Sequence, residues 1–216
     1  MSHTCVLCGS KTTSFKHPRF QMLFHECPVC LLITKDESNY ISESEELSIY
    51  LRHENSLDNH GYVNYLMNYI EQGVLPYIKE GNVLDFGSGP EPVLSHLLKS
   101  LGFQVDCYDY YFAPEKIYED KQYDLITSTE VIEHIKNPVD TFHLFHKHLK
   151  PNGILSLMTL FYPKDKDTFF DWFYIRDHSH ITFFAPETML YIAKKTGFEL
   201  LDHNAHRITV FKCLKT

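Results

Sequence analysis

Four cysteines near the N-terminus form two closely spaced pairs. Cys5 and Cys8 make one CxxC pair, Cys27 and Cys30 make the other, and 18 residues separate the two pairs. Four thiolates at this spacing satisfy the tetrahedral coordination of Zn²⁺, and a site filled by four protein ligands is structural rather than catalytic. The pattern therefore predicts a small zinc ribbon at residues 1–35. The alternative interpretation is four buried cysteines without a metal.

A glycine-containing segment joins a short apolar run to a helical pattern. Gly87 and Gly89 stand at this predicted strand-to-helix turn. Glycines let the backbone approach a ligand closely, and the helix N-terminus supplies N–H donors. Pro92 occupies the position where the dinucleotide fingerprint needs its third glycine. The segment therefore disfavours a pyrophosphate-binding dehydrogenase and favours a ligand without phosphates.

A carboxylate follows the next strand pattern, 22 positions after Gly87. Asp109 stands at the predicted carboxyl end of that strand, where it could accept hydrogen bonds from both hydroxyls of a ribose. Asp106 is the alternative acid, but it falls within the strand pattern. Tyr110 and the two aromatic residues after it either flank an adenine ring or pack in the core.

The elements that must position these residues follow from the apolar pattern. From residue 81 to residue 216, strand patterns alternate with helical patterns, which is typical of a mostly parallel sheet covered on both faces. Residues 36–80 are polar and then helical, and we interpret them as a lid or linker. The third strand of such a sheet has only one short candidate, at residues 116–118.

The overall composition limits the partners. The net charge of −8 disfavours a broad nucleic-acid surface, because such a surface needs clustered Lys and Arg. No apolar run approaches the roughly 20 residues that span a bilayer, and the N-terminus lacks a signal-peptide pattern. We therefore expect a cytoplasmic protein with reduced cysteines and no membrane partner. The sequence does not indicate an oligomeric state.

From residue 80 onward, the motifs resemble those of class I S-adenosylmethionine-dependent methyltransferases. Residues 85–89 (DFGSG) are similar to the first motif of that family, residues 123–134 to its fourth-strand motif, and residues 149–155 to its turn into the fifth strand. With the ribbon included, the chain resembles a bacterial methyltransferase group. The resemblance implies a Rossmann-like α/β fold of seven strands in the order 3-2-1-4-5-7-6, with strand 7 antiparallel. One departure is Glu91, where many members have a third glycine.

The same resemblance implies an S-adenosylmethionine site at the carboxyl ends of the first, second and fourth strands. The residues expected to hold the cofactor are Asp85, Gly87, Ser88, Gly89, Asp109, Tyr110, Thr129 and Glu130.

Two segments outside these motifs are candidates for the acceptor site. The loop at residues 161–183 is long and aromatic, and long loops in compact domains are usually functional. If the acceptor must lose a proton, a base is needed, and histidine suits that role near neutral pH. His180 in this loop is the first candidate, and His53 in the lid is the second. The alternative for His180 is a structural hydrogen bond to a loop carbonyl.

The predicted function is methyl transfer to a small-molecule acceptor. Methylation of RNA bases is an alternative, since some RNA methyltransferases also carry a zinc ribbon, but the acidic balance disfavours it. A non-catalytic module that binds the cofactor and recruits a partner through its ribbon is another. Neither the acceptor nor the methylated atom can be read from the sequence.

Overall fold

The computed structural model describes residues 3–52 and 55–215, and it forms two sheets with helices around the larger one. The candidate His53 lies outside the described residues. The strands are β1 (Thr13–Lys16), β2 (Leu23–Glu26), β3 (Ile33–Lys35), β4 (Asn82–Phe86), β5 (Gln104–Tyr108), β6 (Tyr123–Thr129), β7 (Leu149–Met158), β8 (Thr182–Phe183), β9 (Phe198–His203) and β10 (Ile208–Cys213). The α-helices are α1 (Glu43–Tyr50), α2 (His60–Gly73), α3 (Val93–Ser100), α4 (Pro138–His148), α5 (Lys166–Asp171) and α6 (Pro186–Thr196).

The larger sheet has the Rossmann-like arrangement that the motifs predict. Its order is β5-β4-β6-β7-β10-β9. Strands β4, β5, β6 and β7 run parallel, whereas β10 is antiparallel to both β7 and β9. The mostly parallel sheet and its C-terminal hairpin are therefore confirmed.

The predicted count of seven strands is wrong, because the described residues place six strands in this sheet. Residues 117–120 form turns instead of a strand. The backbone of Asp109 pairs with Ala113 as soon as β5 ends, so the chain folds back at once. A crossover connection between parallel strands needs about a dozen residues. An extra strand between β5 and β6 would require two such crossovers, and the connection from β5 to β6 is too short for both.

Both faces of the larger sheet are buried under helices. Neighbouring residues of one strand enter opposite clusters: Val83 packs with α2 and α3, whereas Leu84 packs with α4 and α6. This alternation is the period of two that a strand imposes on its side chains. Because both faces are covered, the carboxyl ends of the parallel strands are left to form a site.

The smaller sheet is antiparallel and joins distant parts of the chain. Its order is β1-β2-β3-β8, and Ile33 of β3 pairs with Phe183 of β8. The cysteine segment thus shares a sheet with the long loop after β7. Among the described helices, none combines the length and apolar character that crossing a membrane requires.

Candidate functional site

A cavity of about 760 Å³ opens where β4, β5 and β6 end. Helix α1, the loop at 161–183 and residues of α2, α3 and α4 contribute to the rest of its wall. The wall includes all eight residues predicted to hold the cofactor, namely Asp85, Gly87, Ser88, Gly89, Asp109, Tyr110, Thr129 and Glu130. It also includes His180. The structure therefore brings these candidates together, while their individual roles remain predictions.

The turn after β4 requires glycine. Gly87 has a φ of +85° and Gly89 a φ of +71°, the left-handed region that residues with a Cβ rarely adopt. A Cβ added at Gly87 would lie 2.2 Å from a Cγ atom of Val131. Glycine at position 87 therefore lets Val131 pack directly against the backbone of this turn.

Asp109 connects the turn after β4 to the turn after β5. Its Oδ2 accepts a hydrogen bond from the backbone N–H of Gly89 at 2.8 Å. Its Oδ1 accepts from the backbone N–H groups of Tyr111 at 2.9 Å and Phe112 at 3.1 Å. The alternative acid, Asp106, accepts instead from a lysine and a tyrosine, neither of which lines the cavity. Of the two acids, only Asp109 is oriented at the site.

Asp85 is a buried carboxyl group at the base of the cavity. Only 1% of the residue is exposed. The hydroxyls of Ser95 and Thr127 donate hydrogen bonds to it at 3.1 and 3.3 Å. Burial raises the pKa of Asp85 from 3.8 to about 6, and these hydrogen bonds only partly oppose the effect. The group therefore titrates closer to neutral pH than an ordinary aspartate.

A tyrosine bridges two carboxyl groups at the end of β6. The Tyr174 hydroxyl lies 3.0 Å from Oε2 of Glu130 and 2.5 Å from Oε1 of Glu133. Burial, and then the charge of Glu130, hold the pKa of Glu133 well above its usual range. Oε1 of Glu130 accepts from the hydroxyl of Tyr65, which accepts in turn from Arg207. The two glutamates are thus parts of one hydrogen-bonded network.

His180 is buried beside this network. Its Nδ1 lies 2.8 Å from the carbonyl oxygen of Tyr174, so this nitrogen carries the hydrogen and donates it. Burial, and then the neighbouring His134, lower the pKa of His180 to about 3. The imidazole is therefore neutral at physiological pH and a weak proton acceptor. The alternative role for His180, a structural hydrogen bond to a carbonyl of the loop, is therefore present. The same residue also lines the cavity.

A second histidine and an acid lie close to His180. Nδ1 of His134 is 3.2 Å from the carbonyl oxygen of Ser179. A carboxylate oxygen of Glu133 and one ring nitrogen from each histidine lie within 4.8 Å of one another, so these residues form a second cluster with ligands suited to a metal. The sequence places Glu133 and His134 in the fourth-strand motif, where His134 either lines the floor of the cofactor site or caps a helix, and neither is selected as a site residue. No pattern in the sequence around Glu133 and His134 indicates that they lie next to the long loop.

Helix α1 covers one side of the cavity through polar contacts. It buries none of its own residues. The Glu46 carboxylate accepts hydrogen bonds from the hydroxyls of Tyr50 at 2.6 Å and Tyr111 at 2.7 Å. The Tyr110 hydroxyl donates to Glu43 at 3.3 Å. Tyrosine–carboxylate hydrogen bonds thus connect this helix to the segment after Asp109.

The four N-terminal cysteines form one cluster. The Sγ atoms of Cys5 and Cys30 are 3.5 Å apart, those of Cys8 and Cys27 are 3.3 Å apart, and all four lie within 4.8 Å of one another. The predicted grouping of these residues is therefore confirmed. A hydrogen bond from Cys30 lowers the pKa of the Cys5 thiol to about 5, which favours one thiolate in this pair.

The cysteine segment is also coupled to the cavity wall. The backbone N–H of Lys35, in β3, donates to the carbonyl oxygen of Ile181 at 2.8 Å. The N–H of Ile181 donates to the carbonyl oxygen of Glu133 at 2.9 Å. Backbone hydrogen bonds thus link the smaller sheet, here called the cysteine sheet, to the long loop, and they link the long loop to the end of β6.

Comparisons with solved structures show the same fold. Phosphoethanolamine N-methyltransferase 2 of Haemonchus contortus, in complex with S-adenosyl-L-methionine, aligns with a TM-score of 0.55 and 16% identity over 85% of this chain and 62% of that chain. The mitomycin 7-O-methyltransferase aligns with a TM-score of 0.57 and 11% identity over 80% of this chain and 58% of that chain. A calicheamicin-biosynthesis methyltransferase aligns with a TM-score of 0.55 and 12% identity over 80% and 59%. The chain thus spans about three-fifths of these neighbours.

The family assignment comes from the sequence comparison. No curated protein sequence matches the chain significantly. Residues 62–203 match the family model described as Methyltransferase domain. This match includes β4 to β6 and all eight residues predicted to hold the cofactor. The chain therefore belongs to the Methyltransferase domain family.

Proposed function

We propose that the chain transfers the methyl group of S-adenosylmethionine to a small-molecule acceptor. The observation that carries this proposal is one continuous cavity lined both by the predicted cofactor residues and by the long loop. Its volume of about 760 Å³ is within the roughly 300–1,000 Å³ of small-molecule sites. Bound S-adenosylmethionine supplies a methyl group already activated on a sulfonium. The protein must mainly orient the acceptor and exclude water.

Each predicted cofactor residue then has a distinct role. Gly87, Ser88 and Gly89 contact the methionine part, and Asp85 either orients their turn or reaches the amino group of the cofactor through water. Asp109 binds the ribose, and Tyr110 flanks the adenine. Thr129 and Glu130 lie under the methionine end. The glycine geometry and the orientation of the Asp109 carboxylate support this assignment.

On the acceptor side, we propose His180, in its neutral form. Its burial and its place in the cavity wall support a contact with the acceptor. Its low pKa does not support strong general-base catalysis at neutral pH. His53 stays the second candidate on the sequence argument alone.

We also propose that the cysteine cluster holds one structural Zn²⁺. Four sulfur donors suit this ion, and bonds of about 2.3 Å place tetrahedral ligands roughly 3.8 Å apart. The Sγ pairs at 3.3 and 3.5 Å need only a small outward movement to reach that spacing. The site has no open position, so the ion would stabilise the smaller sheet rather than take part in methyl transfer.

Calorimetry with S-adenosylhomocysteine tests the cofactor site. We expect the wild type to bind it and not NAD, because Pro92 replaces the third fingerprint glycine. Asp109→Ala should weaken binding by about 1.5–3 kcal/mol, the range for a hydrogen bond to a charged group. Asp106→Ala is the matched control and should bind normally. Equal affinity in wild type and Asp109→Ala would place the ribose acid elsewhere.

Transfer of labelled methyl groups from S-adenosylmethionine tests the acceptor class. The purified protein is incubated with a small-metabolite fraction and, separately, with total RNA. We expect label in small molecules. Label confined to RNA would favour the RNA alternative. Cofactor binding without transfer to either fraction would favour the non-catalytic module.

A further inference from the structure

Acidic side chains outnumber basic ones in the part of the cavity wall that the structure describes, where Arg207 pairs with Glu130 from behind. Among the described residues that line it, six are carboxylic acids and none is Lys or Arg: Glu46, Asp85, Glu91, Asp109, Glu130 and Asp177. S-adenosylmethionine brings a net charge of about +1 at neutral pH, because its carboxylate offsets one of its two cationic groups. The cofactor therefore accounts for only part of this charge.

The negative charge that the cofactor does not balance lies toward the part of the cavity formed by α1 and the long loop, which we call the acceptor end. Asp109 accepts hydrogen bonds from the two turns, and Asp85 accepts from Ser95 and Thr127. Glu91 accepts a hydrogen bond from the backbone N–H of Leu57 at 3.2 Å. Asp177, in the long loop, and Glu46, on α1, come from the two segments that complete the cavity beyond the strand ends. The Asp177 carboxylate lies 3.8 Å from the His180 ring, and it accepts hydrogen bonds from the backbone N–H and the hydroxyl of Ser179. Among the described residues, no lysine or arginine forms an ion pair with this carboxylate.

Two cations lie behind this wall. Nζ of Lys35 donates to the backbone carbonyl oxygens of Asp177 and His178 at 3.4 and 3.1 Å, where the Asp177 charge also attracts it. Arg207 donates to the Tyr65 hydroxyl at 2.6 Å, and its Nη1 lies 4.0 Å from Oε1 of Glu130. An acceptor with a carboxylate or phosphate would meet like charges and leave its own charge unpaired, which is costly in a partly desolvated site.

Aromatic rings share the acceptor end with these acids. Tyr50 and Phe173 both line the cavity, and Phe173 is 64% exposed despite its apolar ring. The Tyr50 ring lies 5.4 Å from His134, and the Tyr174 ring lies 3.9 Å from His180. Aromatic faces beside carboxylates are the surroundings that bind organic ammonium ions, through cation–π attraction and ion pairing.

We propose that the acceptor is a small amine bound between the aromatic rings Tyr50 and Phe173 and the carboxylates Glu46 and Asp177. This inference rests on the proposed function. The nitrogen binds as an ammonium ion and releases a proton to water before it reacts. Its lone pair then attacks the methyl carbon as the C–S bond breaks, and the bonding electrons go to sulfur.

The products explain why an acidic wall helps this reaction. Sulfur becomes a neutral thioether, and the positive charge moves to the nitrogen, which later loses a second proton to water or leaves as an ammonium ion. Carboxylates near the nitrogen stabilise the charge that develops there. The nearby carboxylates raise the pKa of the ammonium ion, but it is still a far stronger acid than an aliphatic hydroxyl and can give its proton to water. A hydroxyl acceptor would need a strong base.

The test titrates protein saturated with S-adenosylhomocysteine with three matched probes: benzylamine, benzyl alcohol and benzoate. We expect benzylamine to bind at least tenfold more tightly than either of the others. Asp177→Asn keeps the shape and hydrogen-bonding oxygen of the side chain but removes its charge, and should weaken benzylamine binding at least tenfold. Asp171→Asn, at an exposed position outside the cavity, is the matched control and should have no effect.

Three outcomes separate this inference from the proposed function. Selective binding of benzylamine that depends on Asp177 supports it. The second outcome is normal binding of S-adenosylhomocysteine combined with no preference for benzylamine, a preference for benzoate, or unchanged benzylamine binding in Asp177→Asn. Any of these results overturns the amine inference and leaves the methyltransferase site intact. Failure to bind S-adenosylhomocysteine overturns both.

Discussion

Replacing Asp85 with asparagine should change how protein stability depends on pH. The side chain is buried, and burial raises its pKa from 3.8 to about 6. Because the folded-state pKa is above the unfolded value, the charged form is penalised in the folded protein. The penalty is absent below pH 3.8, increases as pH rises toward about 6, and stays constant above.

The size of this effect follows from the two pKa values. Raising the pKa from 3.8 to about 6 corresponds to about 3 kcal/mol at pH 7. Part of the penalty already exists at pH 4.5, so about 2 kcal/mol develops between pH 4.5 and pH 7. The asparagine side chain of the variant cannot ionise, and any constant cost of its amide cancels when the two pH values are compared.

Urea denaturation of the ligand-free proteins at pH 4.5 and pH 7 measures this difference. Relative to Asp85→Asn, the wild type should lose about 2 kcal/mol of unfolding free energy as pH rises. Asp124→Asn is the control. Burial raises the pKa of Asp124, but hydrogen bonds from Lys150 and the Asn82 backbone outweigh this and lower it below 3.8. Its contribution to stability is therefore almost complete at pH 4.5, and the difference between the wild type and Asp124→Asn should stay nearly constant between the two pH values. A wild-type minus Asp85→Asn difference independent of pH would refute the reasoning.

Two further variants test the glycine turn and the cysteine cluster. Gly87→Ala should weaken S-adenosylhomocysteine binding at least tenfold, because the left-handed backbone and a clash at 2.2 Å must both be relieved; calorimetry checks this, with Gly61→Ala in α2 as the control, and normal affinity in Gly87→Ala would contradict it. Cys27→Ser should release the proposed zinc, measured by elemental analysis, and should increase hydrogen exchange at residues 181–183, because β3 pairs with β8. Increased exchange confined to residues 1–35 would show that the cysteine sheet and the long loop are independent.

Local sequence determined the parts of this protein that depend on near neighbours. The alternation in β4 follows from adjacent apolar residues, and the turn after it follows from Gly87 and Gly89, whose φ angles other residues rarely adopt. The two CxxC pairs similarly predict their own cluster. The failed strand at residues 116–118 marks the limit of this reasoning. Its short apolar pattern was compatible with a strand, but the turn at Asp109 left too little chain for the crossovers.

Only the tertiary structure decided which distant residues surround the cavity. Pairing of Ile33 with Phe183 places the cysteine sheet beside the long loop. Packing of that loop inserts Tyr174 between Glu130 and Glu133 and buries His180. Burial and neighbouring charge then set the pKa values of these groups, and both depend on every element around them. For this reason the sequence indicates His180 as a candidate for the site, whereas only the tertiary structure determines its neutral state and its acidic and aromatic neighbours.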